Sequence, residues 1–306
     1  KNNLRQAYFP EGSMILINDM GTANACIVEQ TQDLSKKIVV LLPGPPFEMK
    51  PLMINQVVPH LHQYSKQTVV ACKIIVTELG ESLAEEMVLD MILHQTNPTI
   101  ATYAGKGQVT FRITAKAETE QQGLELIEPV KQELLRRFGE NATVIASDKG
   151  LEAVVAELLL KKNLTIATAE SCTGGMLAAK LIDYPGISDV YREGFVTYTE
   201  ESKESRLSVS AETLEKNGVV SEEVAKEMAK GVSEVAGTDI GVGITGLAGP
   251  NGGTEQTPIG TVYVAIYDRG EYFVKKMNRF ASRNVIRERA VTIALDELRR
   301  ILLQKA

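Results

Sequence analysis

The stretch Thr165-Ile-Ala-Thr-Ala-Glu-Ser-Cys-Thr-Gly-Gly175 combines two patterns that meet at one point. Its first half is an apolar, strand-like run, and a helix rich in small residues follows its two glycines. The break between them places a hydroxyl, that of Ser171, and a thiol, that of Cys172, at a strand-to-helix turn. Backbone N–H groups and the helix dipole at such a turn favour an anion or a developing oxyanion. The stretch predicts an α/β fold with a reactive turn at Ser171.

The composition limits the classes of protein to which the chain can belong. Its 306 residues suit two or three domains, and a net charge of −6 makes nucleic acid an unlikely partner. No apolar run approaches the roughly 18 residues needed to span a membrane, and the first residues lack the apolar region of a signal peptide. We therefore expect a cytoplasmic protein. The three cysteines are far apart, with no Cys-x-x-Cys pair, which predicts neither a disulfide framework nor a metal site.

The order of predicted elements divides the chain into three domains of a mixed α/β class. Residues 1–66 are expected to form a truncated α/β domain with strands at 14–17 and 38–42, a polar loop between them and one helix at 47–62. Two short strands and a helix cannot bury a core alone, so the amino-terminal half of this domain is expected to be missing. Residues 67–146 are predicted to be a small α+β domain of order βαββαβ, with a single helix near 81–95.

Residues 147–306 are predicted to form a three-layer α/β/α domain with helices on both faces of a sheet. A second glycine-rich stretch, Gly241 to Gly253, leaves the end of another apolar strand in this domain. If the two strands are neighbours, this loop and the Ser171 turn face each other across one crevice, the usual ligand position in such sheets. The alternative for Ser171 or Thr173 is a purely structural role as the N-cap of a helix at 174–183.

The histidines restrict the choice of a general base for Ser171. All three precede residue 95, so the serine would need a lysine, a carboxylate or an amino-terminal amine, of which lysine is the usual substitute. Lys180 lies more than two helical turns beyond Ser171 and is expected to point away. Lys203 follows another strand and is favoured, although its setting, Glu200-Glu-Ser-Lys-Glu204, is also typical of a solvated surface.

Residues near the end of the chain supply positive charge. A cluster of cations between Lys275 and Arg289 includes Arg283 and Arg287, which share a helix face at spacing i, i+4. One of them could bind a substrate phosphate, because arginine forks match phosphate oxygens; surface ion pairing is the alternative. Three functions remain open from the residues alone: an acyl-transfer hydrolase with Ser171, a nucleotide-sensing pocket without catalysis, and a hydrolase with Cys172 as nucleophile.

Several ordered motifs resemble the carboxy-terminal domain of the CinA family of competence/damage-inducible proteins. They are Ala169-Glu-Ser-Cys-Thr-Gly-Gly175, Gly194-Phe-Val-Thr-Tyr-Thr-Glu-Glu-Ser-Lys203, Gly218-Val-Val-Ser-Glu222 and Gly243-Ile-Thr-Gly-Leu-Ala-Gly-Pro-Asn-Gly-Gly253 with Pro258-Ile-Gly-Thr-Val262. Upstream, Asn3-Leu-Arg-Gln-Ala7, Gly21-Thr-Ala23 and Leu42-Pro-Gly-Pro-Pro-Phe-Glu-Met49 resemble the latter part of that family's molybdopterin-binding-like domain. Residues 67–146 resemble its KH-like domain.

The resemblance implies a bacterial nicotinamide mononucleotide deamidase of pyridine-nucleotide recycling. It implies Ser171 as nucleophile and Lys203 as its partner. Substrate is expected to meet Thr173, Gly174, Gly175, Tyr198, Thr245, Gly246 and Arg287. No cofactor or metal is expected for this domain, and a homo-oligomer, with a dimer favoured, is expected. A divalent metal and ADP-ribose pyrophosphatase activity would belong only to the amino-terminal domain of a complete protein.

Overall fold

The computed structural model describes residues 8–32, 35–64, 67–105, 107–146 and 149–304. It comprises two compact units. The smaller contains Lys1–Thr68 and Ala117–Glu120, and the larger contains Val69–Lys116 and Gln121–Ala306. The predicted family motif at Asn3–Ala7 lies outside the described residues. The division into domains at 1–66, 67–146 and 147–306 stays a prediction, while the mixed α/β class is confirmed.

The smaller unit is built on an antiparallel sheet in the order β1-β2-β3. Its strands are β1 (Met14–Leu16), β2 (Ala25–Gln32) and β3 (Ser35–Leu41). Strand β2 occupies what the sequence predicts as a polar loop, and that prediction is wrong. The polar half of β2 is a strand because its backbone pairs with β3, not because its side chains are buried. Helices α1 (Pro46–Leu52) and α2 (Val58–His62) cover the sheet.

A π-helical turn, Met53–Val57, interrupts the single helix predicted at 47–62. Pro59 has no N–H group to donate, which favours such a local change in the hydrogen-bond ladder.

The larger unit begins with a four-stranded sheet in the order β5-β6-β4-β7. Its elements are β4 (Thr68–Thr77), α3 (Glu81–Glu86), α4 (Leu89–Leu93), β5 (Thr99–Ala104), β6 (Gln108–Ala117), α5 (Glu120–Phe138) and β7 (Ala142–Ile145). The βαββαβ order matches the sequence prediction, except that the helix expected near 81–95 is two short helices. Buried Ile74, Phe111, Ile113 and Leu134 form the centre of its core.

The rest of the larger unit has three layers around a five-stranded sheet in the order β12-β11-β10-β8-β9. Its strands are β8 (Ile166–Glu170), β9 (Tyr191–Val196), β10 (Ile240–Gly246), β11 (Thr261–Asp268) and β12 (Glu271–Asn278). Its helices are α6 (Leu151–Lys162), α7 (Met176–Ile182), α8 (Glu200–Leu207), α9 (Ala211–Asn217), α10 (Glu222–Ala236) and α11 (Arg283–Gln304). Helices α6, α7 and α11 cover one face and α8, α9 and α10 the other. Helix α9 was not predicted from the sequence.

Strand β8 lies between two parallel neighbours. It pairs with β9 on one side and β10 on the other, and β10 continues antiparallel to β11. The carboxyl ends of β8 and β10 therefore meet at the same edge of the sheet, as the sequence predicts. This edge carries the Ser171 turn.

Helix α11 is bonded to the four-stranded sheet through a buried ionic network. The Asp296 carboxylate, in a residue 2% exposed, accepts hydrogen bonds from the Thr77 hydroxyl at 2.7 Å and from the Nε atoms of Arg299 and Arg300 at 2.9 and 3.0 Å. Arg299 also donates to the Glu140 carbonyl at 2.8 Å. Because every charge in the network is paired, the network fixes α11 relative to β4.

The glycines at the start of the predicted glycine-rich loop lie inside β10. A Cβ atom at Gly241 would stand 1.9 Å from the Ala229 carbonyl oxygen, and one at Gly243 would stand 2.3 Å from the Ala225 carbonyl oxygen. Both carbonyls belong to the backbone of α10, which cannot move like a side chain. These glycines therefore allow the helix to pack closely on the strand.

Gly241→Ala is expected to lower the free energy of unfolding by about 3 kcal/mol, because α10 must move away from β10. Chemical denaturation monitored by circular dichroism measures the change. Gly80→Ala is the matched control, since a Cβ there would meet no atom within 4 Å. Equal stabilities for the two variants would contradict the packing argument.

Candidate active site

The Ser171 turn extends the ladder of β8 by one residue. The Ser171 N–H donates to the Ile244 carbonyl at 2.9 Å, and the chain then turns through Gly174 and Gly175, with φ of 60° and 89°. Residues with side chains are strained at such positive φ values, so the glycine pair permits the turn. Helix α7 begins at once afterwards, and Ser171, 7% exposed, stands at the junction.

Glu170 holds the start of α7 from inside the sheet. Its carboxylate, in a residue 1% exposed, accepts N–H bonds from Gly175 at 3.1 Å, Leu177 at 3.1 Å and Ala178 at 2.9 Å. The N-cap residue is Gly175, and no N–H group of α7 donates to the side chain of Ser171 or Thr173, so the alternative in which one of these two caps the helix is wrong. The Ser171 hydroxyl is left free of that role.

Glu170→Ala is expected to lower the free energy of unfolding by about 3 kcal/mol, because three N–H groups lose a buried acceptor. Glu170→Gln keeps an acceptor oxygen and should cost less. Hydrogen exchange at the N–H groups of α7 provides a local readout. Unchanged protection there in Glu170→Ala would refute the capping role.

Helix α8 places the Lys203 side chain at the edge of the sheet that carries the Ser171 turn. The helix starts with a capping box in which the side chains of Thr199 and Ser202 each accept from the other's backbone N–H. Lys203 and Leu207, four residues apart, form its buried face. Lys203 is 0% exposed, and its Nζ lies 3.4 Å from Ser171 Oγ and donates to the Thr197 carbonyl at 2.9 Å. The solvated-surface alternative for Lys203 is wrong.

Burial changes the acid–base behaviour of this lysine. Removal from water disfavours the charged ammonium and lowers the pKa of Lys203 below its ordinary value, while Glu200 and Cys172 act weakly in the opposite direction. Among the described residues, no carboxylate forms an ion pair with it. Lys180, the other candidate, is exposed on α7. The structure thus places a lysine of lowered pKa, whose ammonium loses its proton more readily, beside a serine hydroxyl.

The neighbouring Cys172 has the opposite tendency. The residue is 5% exposed, and burial raises the pKa of its thiol to about 11. The thiol therefore stays protonated near neutral pH and is a poor nucleophile. The interpretation in which the helix N-terminus favours a Cys172 thiolate is not supported.

Two arginines from the first turns of α11 reach the crevice. Arg287 donates from Nε to the Cys172 carbonyl and from Nη2 to the Thr173 carbonyl, both at 2.9 Å. Arg283 donates to the Gly249 carbonyl at 2.7 Å and to the Tyr198 hydroxyl at 3.1 Å. Arg287 thus fixes the main chain of the Ser171 turn, while Arg283 joins the second glycine-rich loop to Tyr198.

The other predicted site residues, Tyr198 after β9 and Thr245 and Gly246 at the end of β10, differ in accessibility. Tyr198 is 58% exposed, whereas Thr245 is 1% exposed and donates its hydroxyl to the Val219 carbonyl at 2.8 Å. A Cβ at Gly246 would stand 2.6 Å from a Val262 methyl, so this glycine permits close packing of β10 on β11. The Thr245 hydroxyl is therefore committed to the protein rather than aimed at a ligand.

Only some of the N–H groups in the Ser171 turn donate hydrogen bonds to the described protein. Gly174 donates to the Ser171 carbonyl, Gly175 donates to Glu170, and Met176 donates to the Thr173 carbonyl. The N–H groups of Cys172 and Thr173 donate to no residue that the structure describes. Cys172 and Thr173 thus supply the two N–H groups of this turn that have no acceptor among the described residues, whereas those of the glycine pair are already bonded.

Sequence reasoning missed one group of this site. The Thr197 carbonyl that orients Lys203 is a main-chain atom, and no sequence pattern marks it. Arg283 was expected beside Arg287 from their i, i+4 spacing, and both side chains reach the site. Within the described ranges, no group of three or more His, Cys, Asp or Glu side chains is arranged to hold a metal ion.

Comparison with known proteins assigns the family. The CinA C-terminal domain model matches residues 148–302, and the damage-inducible protein CinA KH domain model matches residues 73–142. A competence-damage inducible protein of Clostridium acetobutylicum is 50% identical over 303 residues, which cover 99% of this chain and 72% of that protein. This chain belongs to the CinA family. The resemblance expected from the motifs is confirmed.

Other CinA proteins are similar over the same regions. A competence-damage inducible protein of Clostridium beijerinckii is 47% identical over 304 residues, covering 99% of this chain and 73% of that protein. A solved CinA-superfamily protein of Klebsiella pneumoniae is 38% identical and covers 50% of this chain and 96% of its own, with a TM-score of 0.49. In the described part of the chain, no helix is long and apolar enough to cross a membrane.

Proposed function

We propose that this CinA protein hydrolyses the carboxamide of nicotinamide mononucleotide to nicotinate mononucleotide and ammonia. The observation that carries the proposal is the fully buried Lys203, whose Nζ lies 3.4 Å from Ser171 Oγ. A lysine with a lowered pKa beside a serine is the pattern of a nucleophile activated without histidine. The family motifs supply the substrate.

The reaction proceeds in two steps. Lys203, as the neutral amine, takes the Ser171 proton while Oγ attacks the amide carbon, and the N–H groups of Cys172 and Thr173 stabilise the oxyanion. Collapse breaks the C–N bond, Lys203 returns the proton to the leaving nitrogen, and ammonia departs. Water then hydrolyses the Ser171 ester and releases the carboxylate. Arg287 holds the turn through the carbonyls of the same two residues, and its bond to the Cys172 carbonyl orients the N–H group of Thr173 in the same peptide plane.

Arg283 binds the substrate phosphate in this proposal. Its guanidinium is exposed at the mouth of the crevice, and its two described partners are neutral oxygens of Gly249 and Tyr198. An arginine without a carboxylate partner keeps its charge available for a phosphate, which it matches with two parallel hydrogen bonds.

Arg283→Gln is expected to raise KM for nicotinamide mononucleotide about tenfold or more, because a charge-assisted phosphate contact is lost, with a smaller effect on kcat. Steady-state ammonia release measures both constants. Arg192→Gln, an exposed arginine on β9, is the control. An unchanged KM in Arg283→Gln would remove this residue from the phosphate site.

Ammonia release from nicotinamide mononucleotide, nicotinamide riboside and free nicotinamide tests the reaction and its need for phosphate. We expect turnover of the nucleotide and much slower release from the two compounds that lack phosphate. Binding of the nucleotide without ammonia at any pH would leave a nucleotide-sensing pocket as the better function. Hydrolysis of ADP-ribose with a divalent metal would instead favour the pyrophosphatase alternative.

The remaining expectations belong to the same proposal. A role in pyridine-nucleotide recycling implies a cytoplasmic location, since the substrate is an intracellular nucleotide. A homo-oligomer, with a dimer favoured, is proposed from the family resemblance. Sedimentation equilibrium measures the mass directly, and a monomer at working concentration would contradict it.

A further inference from the structure

A cleft of about 410 Å³ lies in the larger unit, away from the Ser171 crevice. One wall is the β5–β6 hairpin with the start of α3, and the other is the end of β12 with the second and third turns of α11. Its lining includes Leu79, Val109, Met277 and Ile293 beside several charged residues. The cleft thus joins an apolar surface to polar groups, as binding sites for small molecules do.

Two arginines help to give the cleft an excess of positive charge, because its lining contains four cationic residues and two carboxylates, Glu78 and Glu81. Arg279 and Arg289 line it, and neither forms an ion pair or a side-chain hydrogen bond with any described residue. Lys275 also lines it but is paired with Glu78 and lies 3.6 Å from Glu297. In a chain of net charge −6, a concave surface with two unpaired guanidinium groups favours an anion.

The hairpin holds one of these arginines in place. Gly107 has φ of 94°, and a Cβ atom there would stand 3.2 Å from Arg289 Cγ and 3.3 Å from its Cα. The absence of a side chain lets the hairpin backbone rest on the stem of Arg289. The Asp296 network bonds the same helix to β4, so both walls of the cleft are fixed. A preformed site of this kind loses little entropy on binding.

We propose that this cleft binds a phosphorylated small molecule with a flat apolar portion, of the class of a nucleoside monophosphate. Arg279 and Arg289 bind the phosphate, and the base packs against the half-buried Leu79 and Ile293. The volume is within the range of small-molecule sites. The site is separate from the Ser171 crevice and does not depend on the amidase proposal.

Titration calorimetry with adenosine 5′-monophosphate and with adenosine tests the site in the full chain. The measurements use the Arg283→Gln variant, so that binding in the Ser171 crevice is weakened. We expect the monophosphate to bind and adenosine to bind at least about tenfold more weakly. Replacing both Arg279 and Arg289 by Gln should weaken monophosphate binding about tenfold or more.

Arg192→Gln is the matched control. Arg192 is an exposed arginine on β9 and is not among the residues that line the cleft. Its replacement should leave binding unchanged. Unchanged thermal unfolding midpoints show that the arginine variants fold. No heat at about 1 mM monophosphate, or binding that is indifferent to Arg279 and Arg289, would overturn the proposal.

Discussion

Replacing Ser171 by alanine is expected to lower the rate of ammonia release from nicotinamide mononucleotide by about 10⁴-fold or more. The acyl intermediate cannot form without Oγ, and the neighbouring Lys203 then has no hydroxyl to deprotonate. The small side chain of Ser171 lies at a turn held by backbone bonds and by Glu170, so the variant should fold normally. Single-turnover assays with excess protein detect the residual rate.

Cys172→Ala is the matched control, one residue away. Its thiol is buried and has a pKa of about 11, so its loss should leave kcat within a few-fold of the original value. The opposite pattern, with activity retained by Ser171→Ala and lost by Cys172→Ala, would make the cysteine the nucleophile. Mass spectrometry of the acid-quenched reaction identifies which residue carries the acyl group.

Lys203→Met is expected to lower kcat by about 10³-fold, the effect of removing a general base. Methionine has a similar length and no charge, so it suits a position that is 0% exposed. The folded state lowers the pKa of Lys203 and so disfavours the ammonium that the unfolded chain carries at neutral pH. We therefore expect Lys203→Met to be inactive yet at least as stable as the original protein, measured by urea unfolding.

The pH dependence provides a second test of Lys203. A base must lose its proton before it acts, so kcat/KM should rise with pH to a plateau. The midpoint of this rise should lie below the ordinary lysine pKa. Between that lowered pKa and the ordinary value, the unfolded chain binds more protons, so stability should also rise with pH across this window. Lys180→Met, on exposed surface, should change neither curve. A rate independent of pH over this range would exclude Lys203 as the base.

Patterns in the sequence predicted the βαββαβ order of residues 67–146 and the three α/β/α layers that follow it in the larger unit. Prediction of secondary structure from the sequence failed for segments whose conformation does not depend on burying apolar side chains. The polar half of β2 is a strand because β3 pairs with it, and α9 is too short for a clear pattern. A local sequence pattern does not show which other segment of the chain will pair with it through backbone hydrogen bonds.

For the candidate site, the sequence by itself predicted the strand-to-helix turn at Ser171. The apolar strand, the hydroxyl and the glycine pair at Gly174 and Gly175 are local features, and the lack of histidine beyond residue 94 left a lysine as the favoured base. Family motifs then identified Lys203, whose charged neighbours alone would have favoured a surface position.

Only the tertiary structure decided the surroundings of these residues. It buries Lys203 beneath the sheet edge, engages Glu170 with the N–H groups of α7, and places Arg287 on the carbonyls that follow Ser171. The contacts of Lys203 with Ser171 and of Arg287 with the turn join segments far apart in the chain. The bonds of Glu170 are local and depend on the geometry of the turn. A pKa and an available N–H group depend on what surrounds an atom, and folding brings that environment together from several strands and helices.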